Sequence, residues 1–383
     1  MKCRLVILTE IISPYRIPVF NALAKIPEID LQVVFLAETD PAMRQWRVYT
    51  DEIQFSYEVL PSRRYRFGNF HLLVNRNVRA VLRRTDPDVV LCGGYNYPAS
   101  WQALHWAKKS YVPFLVWMES TQRDHRKGRC LTEKLKKKFL GQCNGAVVPG
   151  KSSFQYAASF GFASGSIFVA PNAVDNDFFS SGAEAIRSNG VNARKAKQLP
   201  LRFFLYVGRL IREKGVFDLV RAYGKLDGKL REKIALVFVG DGPDREELMQ
   251  AAAGISSGCV EFRGFAQREE LPSYYGLAEI FTFPTHSDPW GLVVNEALAS
   301  VLPVIASSAA GCAADLIEDG GNGRVILPGN CEQLVDAMTE LSSNEPLRLK
   351  MAQRGRELIV GHSPQSCAKG IAAAALYFRR PRT

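Results

Sequence analysis

Two carboxylates eight positions apart, Asp288 and Glu296, frame the segment Pro284-Thr-His-Ser-Asp-Pro-Trp-Gly-Leu-Val-Val-Asn-Glu296. Between them Gly291 precedes an apolar run that reads as a helix start. Leu292 and Glu296 are four apart, so they share one helix face. The first amides of a helix lack partners within it, and its N-terminus favours anions. This segment can therefore offer the backbone N–H groups of Leu292 and Val293 to a phosphate, and two carboxylates to hydroxyls. A nucleotide-sugar carries both kinds of group. An ordinary loop-to-helix junction with a solvated acid pair is the competing reading, and the segment alone does not decide.

A second segment tips the balance. Val207-Gly-Arg-Leu-Ile-Arg-Glu-Lys-Gly215 is a glycine-bounded loop after an apolar strand pattern, with Arg209 and Lys214 in it. Arg offers a planar fork to phosphate oxygens and Lys a compact charge. Two cations on one loop suit a diphosphate whose charge grows as it leaves.

Together these segments resemble the retaining glycosyltransferases of family 4, which have the GT-B fold. The acid pair resembles the family's E-x7-E signature, with Asp288 where Glu is usual. Gly208-Arg209-Leu210 to Lys214-Gly215 matches its G-R-L-x-x-x-K-G loop. The resemblance implies that Arg209 and Lys214 hold the diphosphate, Glu296 the ribose hydroxyls and Asp288 the sugar hydroxyls. It further implies that the amides after Gly291, at Leu292 and Val293, contact phosphate. Phe262-Arg-Gly-Phe265 resembles the segment whose backbone reads the base. Residues 307–311 resemble the loop that supports the sugar phosphate. No tightly bound cofactor or metal is implied; the donor would be a UDP- or GDP-sugar. His286 reads as a loop polar group and Trp290 as a hydrophobic plug.

The first half is less informative. Ser13-Pro-Tyr-Arg16 stands where most family members have a Gly-Gly loop, and Arg16 would take an anionic acceptor or the donor phosphate. Glu119 stands where the family often has His. It could orient or deprotonate an acceptor hydroxyl, or pair with Arg123 or Arg126. Glu133-Lys-Leu-Lys-Lys-Lys-Phe-Leu140 reads as a helix with Leu131, Leu135 and Phe139 on its apolar face and lysines in solvent. An amphipathic stretch on an anionic inner membrane is the sharper alternative.

Composition bounds the rest. The 383 residues, 47% apolar and 23% charged, suit a globular chain of more than one domain. Net charge is +11; residues 1–180 carry 24 Lys+Arg against 15 Asp+Glu. That excess suits a phosphate-bearing or lipid-linked acceptor or an anionic surface. No recognition motif points to nucleic acid. The eight cysteines form no C-x-x-C pair and no zinc spacing, as in a reduced cytosolic protein. The apolar start at 5–8 is too short for a signal-peptide core, so a cytoplasmic protein, free or peripheral on the inner membrane face, is expected.

Apolar strand patterns at 4–8, 31–36, 88–92, 114–118 and 145–148, then at 203–207, 236–239, 280–283 and 304–306, alternate with helical ones. They predict an α/β GT-B protein: two Rossmann-like domains facing across an interdomain cleft. The acceptor domain would span 1–180 and the donor domain 200–363, with an aperiodic linker at 180–200. The helix within 364–383 would cross back to the first domain. The expected reaction is sugar transfer, with retention, to a glycan, lipid-linked or small-molecule acceptor. An epimerase or hydrolase on this fold, and a non-catalytic sugar-nucleotide or polyanion binder, stay open.

Overall fold

A computed structural model describes residues 1–40, 44–67, 70–122 and 130–381, without the side chains of 66, 67, 70, 71 and 130–132. The chain divides into two compact units, residues 1–173 with 364–383, and residues 174–363.

The first unit holds strands β1 (Cys3–Thr9), β2 (Ile29–Phe35), β3 (Ser56–Val59), β4 (Ser62–Phe67), β5 (Phe70–Asn75), β6 (Val89–Cys92), β7 (Phe114–Trp117), β8 (Gly145–Val148) and β9 (Ile167–Val169). Seven make one sheet in the order β3-β2-β1-β6-β7-β8-β9. All its pairs are parallel, and Leu5 lies opposite both Leu31 and Val89. Strands β4 and β5 form a separate antiparallel ribbon, with Ser62 opposite Asn75. Parallel strands covered on both faces need near-continuous apolar sequence, and Val-Val-Leu-Cys and Gly-Ala-Val-Val supply it. Alternate residues of β1 serve two cores. Val6 and Leu8 pack with Val81, Ala103 and Phe139 on one face. Leu5 and Ile7 pack with Phe20, Cys367, Ile371 and Ala375 on the other. The last helix, Pro364–Phe378, thus belongs to the first unit.

The second unit holds β10 (Phe203–Val207), β11 (Ala235–Val239), β12 (Val260–Phe262), β13 (Ile280–Phe283), β14 (Val304–Ser307) and β15 (Gly323–Ile326). They form one parallel sheet in the order β12-β11-β10-β13-β14-β15. In both sheets the winding reverses at one place: between β1 and β6, and between β10 and β13. Loops leaving the carboxyl ends of those strands diverge, and ligands of open parallel sheets bind there.

Two expectations need correction. Residues 180–200 are not an aperiodic linker: helices Asn176–Ser188 and Gly190–Lys197 fill most of the stretch. Asp175 caps the first of them by accepting from the Phe178 amide at 3.0 Å. Only Phe179 and Ala183 of that helix are fully buried, so its polar composition masked the period. The units part at Ala173/Val174 instead. The basic helix, Cys130–Leu140, buries Phe139 and leaves Lys134, Lys137 and Lys138 exposed as expected, but Lys136 takes the inner place expected of Leu135; the side chain of Leu131 lies outside the described residues. Leu135 is 48% exposed, whereas Lys136 is 6% exposed and packs beside Phe139 and Leu140. Its ammonium is held by the Tyr156 hydroxyl at 2.5 Å and the ring faces of Tyr95, Tyr156 and Phe160. Positions 136, 139 and 140 share a helix face, and a lysine can enter it because the aromatic groups replace its water.

Candidate functional site

In the second unit, the loop after β10 and the loop after β13 meet across the reversal point. The first carries Gly208, Arg209 and Lys214. The second carries Asp288, Gly291 and the helix Leu292–Ala299. Their backbones are stitched together. Thr285 Oγ1 and the His286 amide both donate to the Glu213 carbonyl, at 3.1 and 2.9 Å. Gly215 sits at φ +71, where a Cβ atom would lie 2.0 Å from the Pro284 carbonyl oxygen. Only glycine permits that approach.

Lys214 bridges the loops with its side chain. Its Nζ donates to Asp288 Oδ2 at 2.7 Å and to the Ser287 carbonyl at 2.9 Å. The other carboxylate oxygen, Oδ1, accepts from the Trp290 amide at 3.0 Å. Asp at this position can close that i to i+2 turn on its own backbone. Arg209, by contrast, is exposed and makes no ion pair among the described residues. One cation is preorganised and one is free to reach.

Gly291 caps the helix in the left-handed region, φ 94, and a Cβ there would meet the Phe283 ring at 2.7 Å. Leu292 and Val293 at the first turn are half-buried. Trp290 is 4% exposed and donates through Nε1 to Asn295 Oδ1 at 2.9 Å, the plug expected of it. His286 Nε2 lies 2.6 Å from Asp218 Oδ2, a loop-fixing contact.

Glu296 is 2% exposed, and its Oε2 accepts from the Tyr275 hydroxyl at 2.7 Å. Burial pushes its carboxyl up to about 7, against the opposing pull of that hydrogen bond. Tyr275, on helix Leu271–Leu277, was not visible as a site residue: it lies 21 positions away with no spacing rule to link it. Phe265 follows β12 and is 41% exposed, beside Gly264, whose carbonyl accepts from the Gly240 amide at 2.7 Å.

In the first unit, Arg16 and Glu119 meet each other. They form an ion pair, and the Arg16 guanidinium stacks 3.8 Å over the Trp117 ring. Arg123 and Arg126, the other partners considered for Glu119, lie outside the described residues. Trp117 is buried and its Nε1 has no partner. Among the described residues, no cluster of three or more His, Cys, Asp or Glu could hold a metal ion. Nor is any helix there long and apolar enough to cross a membrane.

Comparison with known proteins agrees with this architecture. Residues 192–358 match the family described as Glycosyl transferases group 1, and residues 23–178 match Glycosyltransferase Family 4. The two matches together cover most of the chain, which belongs to these glycosyltransferases. The Streptomyces kanamyceticus alpha-D-kanosaminyltransferase is 33% identical over 175 residues, covering 45% of this chain and 44% of that protein. A GDP-mannose-dependent alpha-(1-6)-phosphatidylinositol monomannoside mannosyltransferase of Mycobacterium tuberculosis is 30% identical over 215 residues, 54% of each. The chain spans about half the length of the curated relatives it matches. Among solved structures, Anabaena HepE in complex with UDP superimposes with a TM-score of 0.75 at 16% identity. That match covers 98% of this chain and 100% of HepE. Sucrose-phosphate synthase from Thermosynechococcus elongatus gives 0.74 at 18%, over 98% of each. The fold is therefore GT-B in type: two Rossmann-like parallel-sheet domains.

Proposed function

We propose that this protein transfers a sugar from a UDP- or GDP-sugar to an acceptor hydroxyl with anomeric retention, in the synthesis of a glycan, glycolipid or glycoconjugate. The observation that carries the reading is the ion pair of Lys214 with Asp288, which ties the loop bearing Arg209 to the loop that opens the Leu292–Ala299 helix at the reversal point of the second sheet. Cations on one loop and a helix start on the other are the two kinds of group a diphosphate requires.

In this reading the diphosphate settles on the Leu292 and Val293 amides, and Arg209 folds onto it. Lys214 already stands on Asp288 and turns its remaining proton to a phosphate oxygen. As the glycosidic bond breaks, charge gathers on the leaving phosphate, and these donors stabilise it without reorganising. Asp288 has spent two of its roughly four lone-pair sites, which leaves two for sugar hydroxyls. Glu296 takes the ribose hydroxyls in place of the Tyr275 contact or beside it. Phe265 and its neighbours border the base. In the first unit, Arg16 and Glu119 serve the acceptor side. The two cations supply the charge a metal would otherwise bring, so the reaction is expected to proceed in EDTA.

Support also comes from relatives: HepE was solved with UDP, and the mycobacterial enzyme is GDP-mannose-dependent by name. The test is thermal shift with UDP, GDP and their sugar conjugates, since a ligand of the folded state raises its melting point. Lys214→Ala and Arg209→Ala should each abolish the shift; Arg209→Ala, an exposed change, should leave the unliganded melting point within about 2 °C, whereas Lys214→Ala should lower it by leaving the part-buried Asp288 without its cation. A shift that survives both substitutions refutes the clamp.

A further inference from the structure

The loop that carries Arg209 rests on a residue the donor-site reading leaves unused. Strand β10 runs Phe-Phe-Leu-Tyr-Val, and all five residues are buried. The Tyr206 hydroxyl is the one polar side-chain atom in the strand. A buried hydroxyl is costly unless it is bonded, so its partner says what it is there for. It donates to the Arg209 carbonyl at 2.9 Å. The ring packs on Phe238 of β11, with centroids 5.4 Å apart. Burial pushes the ionisation of the hydroxyl up, so it stays a donor, and Asp288 and Arg209 both lie close enough to act on it electrostatically. The hydroxyl thus sits beneath the place where the two loops meet.

This bond fixes one peptide unit. The peptide between Arg209 and Leu210 is planar, so tying both of its polar groups sets its orientation. Its carbonyl accepts from Tyr206 and from the Ile211 amide, at 2.9 and 3.1 Å. Its N–H, that of Leu210, donates to the Asp241 carbonyl at 2.9 Å. Gly208, one residue earlier, has φ +149, and a Cβ there would lie 3.1 Å from the Tyr206 hydroxyl. Glycine makes room for the hydroxyl, but it is also the most permissive backbone a loop can contain. The residue after it needs an outside hold, and the Tyr206 hydroxyl supplies one.

We propose that Tyr206 is a positioning residue. Its hydroxyl fixes the backbone at Arg209, so that the guanidinium starts from a set point when the diphosphate of a nucleotide arrives. The inference rests on the donor reading above. Lys214 needs no such support, because Asp288 and the Ser287 carbonyl already hold its ammonium. Arg209 is exposed, and only its backbone can be set in advance. Ordering done before binding is not charged against affinity.

The test is calorimetry on the full chain with UDP and with GDP. Tyr206→Phe keeps the ring and removes only the donor. The control is Tyr223→Phe, in the helix Val216–Lys225 of the same unit. Tyr223 is as fully buried as Tyr206. Its hydroxyl donates to the Ile234 carbonyl at 2.9 Å and accepts from the Cys259 amide at 3.0 Å, partners that belong to neither loop. Each change should lower the melting point by about 2–4 °C. Tyr206→Phe should also weaken whichever nucleotide the parent binds at least fivefold, and speed hydrogen exchange of the 208–212 amides. Tyr223→Phe should do neither. A loss under fivefold in Tyr206→Phe, or as large a loss in Tyr223→Phe, overturns the proposal and spares the donor reading. Exchange that quickens throughout β10, β11 and β13 marks a general loosening and likewise overturns it. A parent chain that binds neither UDP nor GDP sinks the donor reading, and this inference with it.

Discussion

Replacing Glu296 with Gln should make the second unit more stable at neutral and alkaline pH while weakening nucleotide binding. The carboxyl is buried, and its ionisation is pushed from the ordinary 4.5 to about 7. Between those values the folded chain keeps a proton that the unfolded chain has lost. Stability therefore falls as pH rises through this window, and levels off above it. Integrating from pH 5 to pH 8 gives a loss on the order of 2–3 kcal/mol. Gln cannot titrate and can still accept from Tyr275, so Glu296→Gln escapes that loss. Its advantage over the parent should be on the order of 2–3 kcal/mol larger at pH 8 than at pH 5. For a unit of this size that is roughly 5–10 °C in melting point. Thermal melts of both proteins at four pH values between 5 and 8 measure it directly. A melting-point difference that is flat across that range refutes the account of Glu296 as a strained, buried acid. The same logic reaches function. If ribose hydroxyls bind the carboxylate form, nucleotide binding near pH 7 must expel a proton, and calorimetry in buffers of different ionisation heat should detect it. A proteins' site that trades stability for binding behaves this way.

Other perturbations read other parts of the site. Lys214→Ala and Arg209→Ala should each lower kcat by about 10²–10³-fold, the usual cost of one oxyanion-type donor, in a steady-state assay with any donor that turns over. Gly215→Ala should destabilise by about 2 kcal/mol or more, because its Cβ would strike the Pro284 carbonyl at 2.0 Å; urea denaturation measures this. Val301, a β-branched residue at φ 58 just after the Leu292–Ala299 helix, should gain roughly 0.5–1 kcal/mol on replacement by Gly. An unchanged melting point for Val301→Gly would show that the left-handed backbone costs nothing there.

The second half was the more legible because its chemistry lies in two contiguous segments. Gly208 to Gly215 and Pro284 to Glu296 each carry glycines, charges and a helix start within a few residues, so local spacing exposes them. What spacing cannot show is pairing across the sheet. Lys214 and Asp288 are 74 positions apart, and Arg16 and Glu119 are 103 apart. Each had a separate role in the sequence, and each pair proves to be one unit. Nine of the thirteen strands of the two sheets were visible as apolar runs, since parallel strands buried on both faces need them; the four edge strands β3, β9, β12 and β15, only partly buried, were missed. The β4–β5 ribbon was not: Ser-Arg-Arg-Tyr-Arg-Phe carries no buried-strand signal. Lys136 displaced Leu135 from the inner face for a related reason, because three aromatic side chains far off in sequence make its burial tolerable.

The charge of each half misleads in the same way. Residues 1–180 carry the larger positive excess, which on its face argues for an anionic partner there. Much of that excess lies in exposed positions such as Lys134, Lys137, Lys138 and Arg63. At the carboxyl edge of the first sheet, where its winding reverses, Arg64 pairs with Asp40 and Arg16 with Glu119, so cations there are met by acids. The nearly balanced second half puts Arg209 and Lys214 at the corresponding edge of its own sheet. Coulomb interactions at ligand-contact range outweigh those a Debye length of about 8–10 Å away. The charges at each reversal point, rather than the sum over each half, are therefore what a ligand meets first.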